Sequence, residues 1–342
     1  MAKRRKPTKE MINILRKTGS NDLQECMAAM KALAQAISVP LRSALLNGDI
    51  LGGIYAPDEL EEGATAKYPI DFFTQTNEDQ YVAYVIPSEG AIPQRTIVGD
   101  EITVQTFKTA NAIDWPLRYS REARWNVVAR AMEVLEAGFV RKMNTDGWRG
   151  IIAAGAGRTD YGGGAPLVFD AAATAGQFTK RLISLMKTSM TRLAGGNRVS
   201  MGRSILTDLY ISPEALEDIR EWDLDDVDDI TRREIFTAND DPSTGPLARI
   251  YGVNLHPLTE LGVNQEFQTF FDSLSLSMGA SDEELVVGMD LQQNDSFVMP
   301  VREPVTIFED PFLHRRQKAG FYGWQEQGFC VLDPRRVLLG SF

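Results

Sequence analysis

Between Tyr119 and about Gly150 the apolar positions recur with a helical period. Trp125, Val128, Met132, Leu135, Phe139 and Met143 lie three, four, three, four and four residues apart, which stacks them on one face. Arg121, Arg124, Arg130, Glu133, Glu136 and Lys142 supply much of the remaining surface. Ser120 is placed as an N-cap, and Asn144 to Gly147 as an end. Such a helix is a rod of roughly 45 Å at about 1.5 Å per residue. A single apolar stripe on so long a rod predicts a beam with other elements laid along it.

The pattern before the beam is different. Asn21 to Ser38 carries a shorter stripe, Leu23, Met27, Met30, Leu33 and Ile37, which Val39-Pro40 stops. From Leu41 to about Gln80 neither period survives, and glycines and prolines interrupt every run. A stretch of that length is unusual inside one compact domain and is expected to be an arm lying on another surface. Tyr81 to Ile86 is rich in aromatic and β-branched residues, and Glu101 to Phe107 alternates, so both read as strands. Between them Pro87 to Asp100 forms a broad polar tip. A lone two-stranded projection is marginal in water. It is either the lid of a monomeric enzyme or a flap between subunits.

After the beam, residues 151–166 (IIAAGAGRTDYGGGAP) are glycine-rich. They follow a helix and lack the Lys-Ser/Thr of a phosphate loop, so they read as a domain junction. Residues 167–290 alternate helix and strand. Phe178, Leu182, Leu185, Met186, Met190 and Leu193 share a helical face, Ser204 to Ile211 is a strand, and Ser212-Pro213-Glu214 opens another helix. Strands follow at Ile250 to Leu255 and Leu285 to Val287. The last segment returns to strand character at Ser296 to Phe308, Phe321 to Trp324, Gly328 to Leu332 and Arg335 to Leu339. Pro300 and Pro304 demand edge or bent positions. These strands are expected to pack on the beam and complete its domain.

Charge changes the picture in one place. The 342-residue chain has a net charge of −11, but its first twenty residues carry +6 and the rest −17. The acidic body should repel phosphates, while the basic tip suits nucleic acid, an acidic partner or simple solvation. Chemistry is sparse. Cys26, Cys330, His256 and His314 are the only cysteines and histidines and are scattered, so no disulfide framework, metal site or catalytic triad is expected. Five aspartates crowd Asp223 to Asp229 without the order of a calcium loop, so a solvated acidic loop is the reading. Arg232 and Arg233 pair with it or with a neighbouring subunit. No long apolar run predicts a membrane span, and no secretory signal follows the basic start.

The order arm, long hairpin, beam helix, α/β subdomain and returning strands resembles the major capsid proteins of tailed bacteriophages, the Hong Kong 97-like family. VIPSEGAIPQRTIVGDEITVQTFKTANAIDWPLRYSREARW is similar to the family's E-loop running into its spine helix. LTDLYISPEALEDIREW resembles the strand and helix of its axial (A) domain. FVMPVREPVTIFEDPFLHRRQKAGFYGWQEQGFCVLDPRRVLLGSF resembles the closing strands of its peripheral (P) domain. The resemblance covers about residues 40–342.

It implies an α+β fold: an N-terminal arm with a short helix (1–67), an E-loop hairpin (68–118), the P-domain spine helix (119–165), the A-domain (166–290) and P-domain returning strands (291–342). It implies a structural, non-enzymatic subunit without cofactor or metal, assembling as pentamers and hexamers of an icosahedral head. The head would enclose double-stranded DNA held without sequence-specific contacts. The expected partners are other copies of the chain, a separate scaffolding protein, a portal and a possible decoration protein, with no membrane. The expected locations are the virion and, during assembly, the host cytoplasm. Gln94, Arg95, Asp100, Glu101, Arg121, Arg124, Arg232 and Arg233 are the expected intersubunit contacts. The Lys–Asn cross-link of some members is not expected, because Pro87 to Asp100 contains no Lys and residues 309–342 contain no Asn. With only about 80 residues before the hairpin, a separate scaffold, or assembly directed by the short N-terminal helix, is expected without N-terminal cleavage. The alternatives are an encapsulin shell on the same fold and, from another class, a soluble α/β enzyme with a hairpin lid.

Overall fold

A computed structural model describes residues 9–20, 22, 24–34, 51–61, 63–69, 101–122, 124–157, 167–170, 176–193, 204–222, 248–274, 283–292 and 296–342. The chain divides into two compact units. The first holds Met1–Ala66, Val104–Asp146 and Met299–Phe329; the second holds Lys67–Thr103, Gly147–Val298 and Cys330–Phe342.

In the first unit, helices α1 (Lys9–Thr18) and α2 (residues 24–34) form an N-terminal pair. The reading that treated the basic start only as a charged tail missed α1. Its Leu15 and Thr18 are completely buried, and the Cys26 thiol of α2 donates to the Thr18 carbonyl at 3.0 Å. One turn of helix, α3 (Leu51–Ile54), leads into strand β1 (Ala56–Glu59). This piece of the expected arm is the edge strand of its own chain's sheet.

The short pair β2 (Lys67–Pro69) and β3 (Glu101–Thr103) brackets residues 70–100. Strand β4 (Phe107–Pro116) follows. The predicted strand at Tyr81 to Ile86, the tip, the glycine-rich 158–166 and the acidic loop lie outside the described residues. Residues 104–106 break the predicted strand Glu101 to Phe107, and β4 takes up residues expected to be a lead-in.

The predicted beam is two helices. After α4 (Leu117–Arg121) the chain turns at Glu122 and re-enters helix at α5 (Trp125–Ala156). Ser120 is not an N-cap. It is buried within α4, where its hydroxyl accepts the Trp115 indole N–H at 2.9 Å. Nor does α5 stop at Asn144 to Gly147. Lys142 and Asp146 form an i,i+4 pair at 2.7 Å, and the following turns bury Trp148, Ile151 and Ile152 completely. Burial of these side chains outweighs the weak local stop.

The sheet of the first unit runs β1-β10-β11-β4, with β10 (Phe297–Glu309) and β11 (Lys318–Gln327) antiparallel. Residues Phe107 to Pro116 pair one for one with Gln327 to Lys318. Register shifts in β10 fall between Val301 and Thr306, the stretch that contains Pro304. Residues of α5 up to Asp146 pack on this sheet. Asn111 donates to the Leu135 carbonyl at 3.3 Å, and Phe139 lies against Gly323.

The second unit is built on a six-stranded mixed sheet, ordered β5-β13-β9-β6-β8-β7. In chain order these are β5 (Leu167–Phe169), β6 (Asp208–Ile211), β7 (Ala248–Ile250), β8 (Val253–Pro257), β9 (Leu285–Met289) and β13 (Val337–Ser341). Helices α6 (Lys180–Leu193) and α7 (Pro213–Glu221) contribute Leu182, Met186, Met190 and Ile219 to one core with Leu209, Val253 and Leu338. Ser212 caps α7, accepting from the Ala215 amide at 3.1 Å with Pro213 in the first turn, as its sequence signals.

The single strand expected at Ile250 to Leu255 is a hairpin. Tyr251 and Gly252 both hold positive φ, the geometry of a two-residue turn, and Lys187 donates to the Tyr251 carbonyl at 2.6 Å. The final strand does not return to the first unit as expected. Strand β13 is wholly buried between β5 and β9. Strand β12 (Cys330–Val331) pairs with the start of β10, at Phe297 and Val298.

Candidate assembly surfaces

The spine stripe falls as follows. Val128, Leu135, Phe139 and Met143 are buried and Met132 is half-buried; the side chain of Trp125 is outside the described residues. Two large apolar side chains of α5 point elsewhere. Val127 and Val134, seven residues apart, are 37% and 54% exposed. They lie off the periodic stripe, and an apolar residue off the stripe is the one signal that marks an outward-facing contact in sequence.

Of the residues expected at subunit contacts, Gln94, Arg95, Asp100, Arg232 and Arg233 lie outside the described residues. Glu101 pairs with Lys67 across the β2–β3 ladder at 3.5 Å. Arg121 donates to the Gly19 carbonyl at 3.0 Å and so ties α4 to the end of α1. Arg124 pairs with Glu122 at 2.6 Å and covers the Tyr119 ring at 5.3 Å, which fixes the turn between α4 and α5. These three have intrachain roles.

A different polar group ties the start of β4 to β10 and β11. The Thr106 hydroxyl donates to Glu326 at 2.6 Å, with Arg302 at 3.1 Å and Lys108 at 3.6 Å from the same carboxylate. The Thr106 hydrogen bond holds Glu326 below the usual carboxylate range despite the opposing effect of burial; the Arg302 and Lys108 charges add to it. Arg302 also reaches the Ala64 carbonyl at 3.2 Å, just before β2. Sequence reading missed this network because its members are 220 residues apart.

On the same sheet Phe308, Tyr322 and Trp324 form a half-buried aromatic cluster with ring centroids 4.6–5.6 Å apart. Glu303 accepts the Trp324 indole N–H at 2.6 Å. Elsewhere in the first unit a cavity of about 270 Å³ is lined by Met143, Met299, Val301, Val305 and Gln325. Phe312 is 75% exposed.

His256 meets Asp208 at 2.8 Å and stacks on Tyr210. Burial would push Asp208 up, but hydrogen bonds from His256, Thr207 and Asn254 bring it below its ordinary value. Cys26 and Cys330 are both raised by burial. Among the described residues no three His, Cys, Asp or Glu side chains are placed to hold a metal, and no helix is long and apolar enough to cross a membrane.

No protein-family model and no curated protein matches the chain. Solved structures do. The capsid asymmetric unit of cyanophage Pam1 matches at a TM-score of 0.55 and 13% identity, over 88% of this chain and 92% of that one. The capsid of an empty GTA particle matches at 0.54 and 14% identity, over 86% and 89%. The head structure of Helicobacter pylori bacteriophage KHP40 matches at 0.51 and 7% identity, over 84% and 86%. The chain has an α+β fold of the phage-capsid class. Within that class it is the Hong Kong 97-like fold.

Proposed function

We propose that the protein is the structural shell subunit of a tailed-phage head. The observation that supports this most is the extent of the fold likeness, about nine-tenths of this chain and of the Pam1 capsid chain. In this reading residues 68–118 are an E-loop, α5 is the P-domain spine and residues 166–290 are an A-domain. The partners are other copies of the chain in pentamers and hexamers, a separate scaffold and a portal, with a decoration protein as an optional further partner. The contents are double-stranded DNA. The subunit works in the virion after assembly in the host cytoplasm and performs no catalysis.

Physical chemistry supports the reading independently of likeness. Val127 and Val134, seven residues apart on α5, expose apolar surface that association would cover. The test is the content and size of purified particles. Sedimentation of the expressed chain should give large closed shells, and shells from infected cells should hold nuclease-resistant DNA. Shells filled with a cargo enzyme would instead mark an encapsulin. A stable monomer that turns over a substrate would mark an enzyme.

A further inference from the structure

The chain is acidic as a whole, yet its first unit gathers cations in one place. Arg16 and Lys17 end α1, Arg118 and Arg121 lie on α4, and Arg315 and Arg316 end the 3-10 turn Pro311–Arg316. The fold brings these three ends together. Arg121 bonds the Gly19 carbonyl at 3.0 Å, just past α1. At the other end of α4 the Leu117 amide donates to the carbonyl of Gln317 at 2.9 Å, one residue after Arg316. Helix α4 spans only about 7 Å at about 1.5 Å per residue, so the three ends form one surface. Helix α2 joins it, because Met27 and Met30 line a small cleft with His314 and Lys318, and exposed Lys31 follows Met30.

Glu309 and Asp310 also line this cleft, and Asp310 accepts from the Phe312 amide at 2.9 Å; the other neighbouring carboxylates are paired. Glu25 pairs with Lys17 at 3.7 Å, Glu122 with Arg118 and Arg124, and Asp114 with Lys318 at 2.7 Å. Among the described residues Arg16, Lys31, Arg315 and Arg316 are exposed and make no ion pair. Leaving cations unpaired in a chain with eleven excess negative charges concentrates positive potential here. The basic sequence Lys3 to Lys9 leads into α1 in the chain.

We infer that this α1–α4–3-10 surface binds the phosphate backbone of nucleic acid. Three of its four unpaired cations are arginines, whose planar forks match phosphate oxygens. Phe312, 75% exposed beside Arg315 and Arg316, supplies a ring that can lie against a sugar or an unstacked base. An acidic protein partner would be expected to bring a larger apolar contact than one ring. The inference rests on the shell reading for its biological setting, but its chemistry stands separately.

The test uses unassembled full-length chain and a fluorescently labelled 20-base-pair duplex of arbitrary sequence, followed by anisotropy between 50 and 200 mM KCl. The triple variant R16A/R315A/R316A removes only unpaired, exposed cations. A control, R192A/R220A/R249A, removes three exposed arginines of the second unit. The wild type should bind with a steep salt dependence. The patch variant should bind at least roughly tenfold more weakly at 50 mM and lose about 2–3 from the slope of log K against log salt, near 0.9 per phosphate contact. The control should change less than about twofold. Equal losses in both variants would show bulk charge alone. No binding by the wild type, or selective loss of poly-glutamate binding with duplex binding intact, would overturn the inference. Micrographs of the same preparations separate the two readings. Shells without duplex binding refute the patch alone, and duplex binding without shells refutes the shell reading alone.

Discussion

Phe139 is the most informative single side chain in the first unit. It is 1% exposed and lies on the packed face of α5, against Gly323 of β11. A buried Phe hides about 150–200 Å². At about 25 cal/mol per Å², truncation to Ala forfeits roughly 4 kcal/mol of transfer free energy. Collapse into the space is limited, because the neighbouring strand position is a glycine and the backbone is held by ten cross-strand pairs. The cost should therefore lie toward the upper part of the roughly 3–5 kcal/mol typical of Phe→Ala. That is a large share of the 5–15 kcal/mol roughly available to a domain. Urea unfolding of the unassembled subunit reads it as a lowered midpoint at unchanged slope. Val134→Ala, five residues earlier on the same helix and 54% exposed, is the control and should cost less than about 0.5 kcal/mol. Equal midpoints for the two variants, or a Phe139→Ala loss under about 1 kcal/mol, would show that the packed face of the spine is misassigned.

Other positions are equally specific. Gly320→Ala places a Cβ 2.5 Å from the Ile113 carbonyl oxygen and 2.6 Å from Leu313, so the strand must shift; a loss of about 1–3 kcal/mol in thermal or urea unfolding is expected, and wild-type stability would contradict the packing. Ser212→Ala removes the α7 cap and one partner of buried Glu284, and should cost at least about 1 kcal/mol. Glu284 is raised mainly by burial, with Glu214 and Asp218 adding to it against the Ser212 hydrogen bond. A carboxyl raised on folding favours the folded state at low pH and loses that stabilisation as pH rises through its folded value. Glu284→Gln should thus melt at or above the wild-type temperature at pH 7, with the difference closing near pH 4. A lower melting temperature at pH 7 would reverse the assignment.

The parts of the fold legible in sequence were those governed by local pattern. The spacing of Val128, Leu135, Phe139 and Met143 marks the spine helix, and Ser212-Pro213-Glu214 marks the start of α7. What failed was decided by distant partners. Ser120 has the chemistry of an N-cap, but the Trp115 indole takes its hydroxyl. The Asn144 to Gly147 stop is overridden by the burial of Trp148, Ile151 and Ile152. The basic residues around Leu15 hid a helix whose apolar side chains pack on α2 and α4. The VLLGS run of β13 is visibly a buried strand, yet nothing local says that it pairs with β5 and β9 rather than with β10. For the assembly surface, sequence located charged residues, but it could not show that Glu101, Arg121 and Arg124 are held by Lys67, Gly19 and Glu122 within the chain. Nor could it show that the unpaired cations are Arg16, Lys31, Arg315 and Arg316.

Cryo-electron microscopy of the purified full-length chain under assembly conditions tests the central proposal most directly. The account predicts closed icosahedral shells of fivefold and sixfold rings, each subunit carrying a spine helix whose residues up to Asp146 pack on the β1-β10-β11-β4 sheet. A uniform population of monomers or dimers across salt, pH and added scaffold would contradict it.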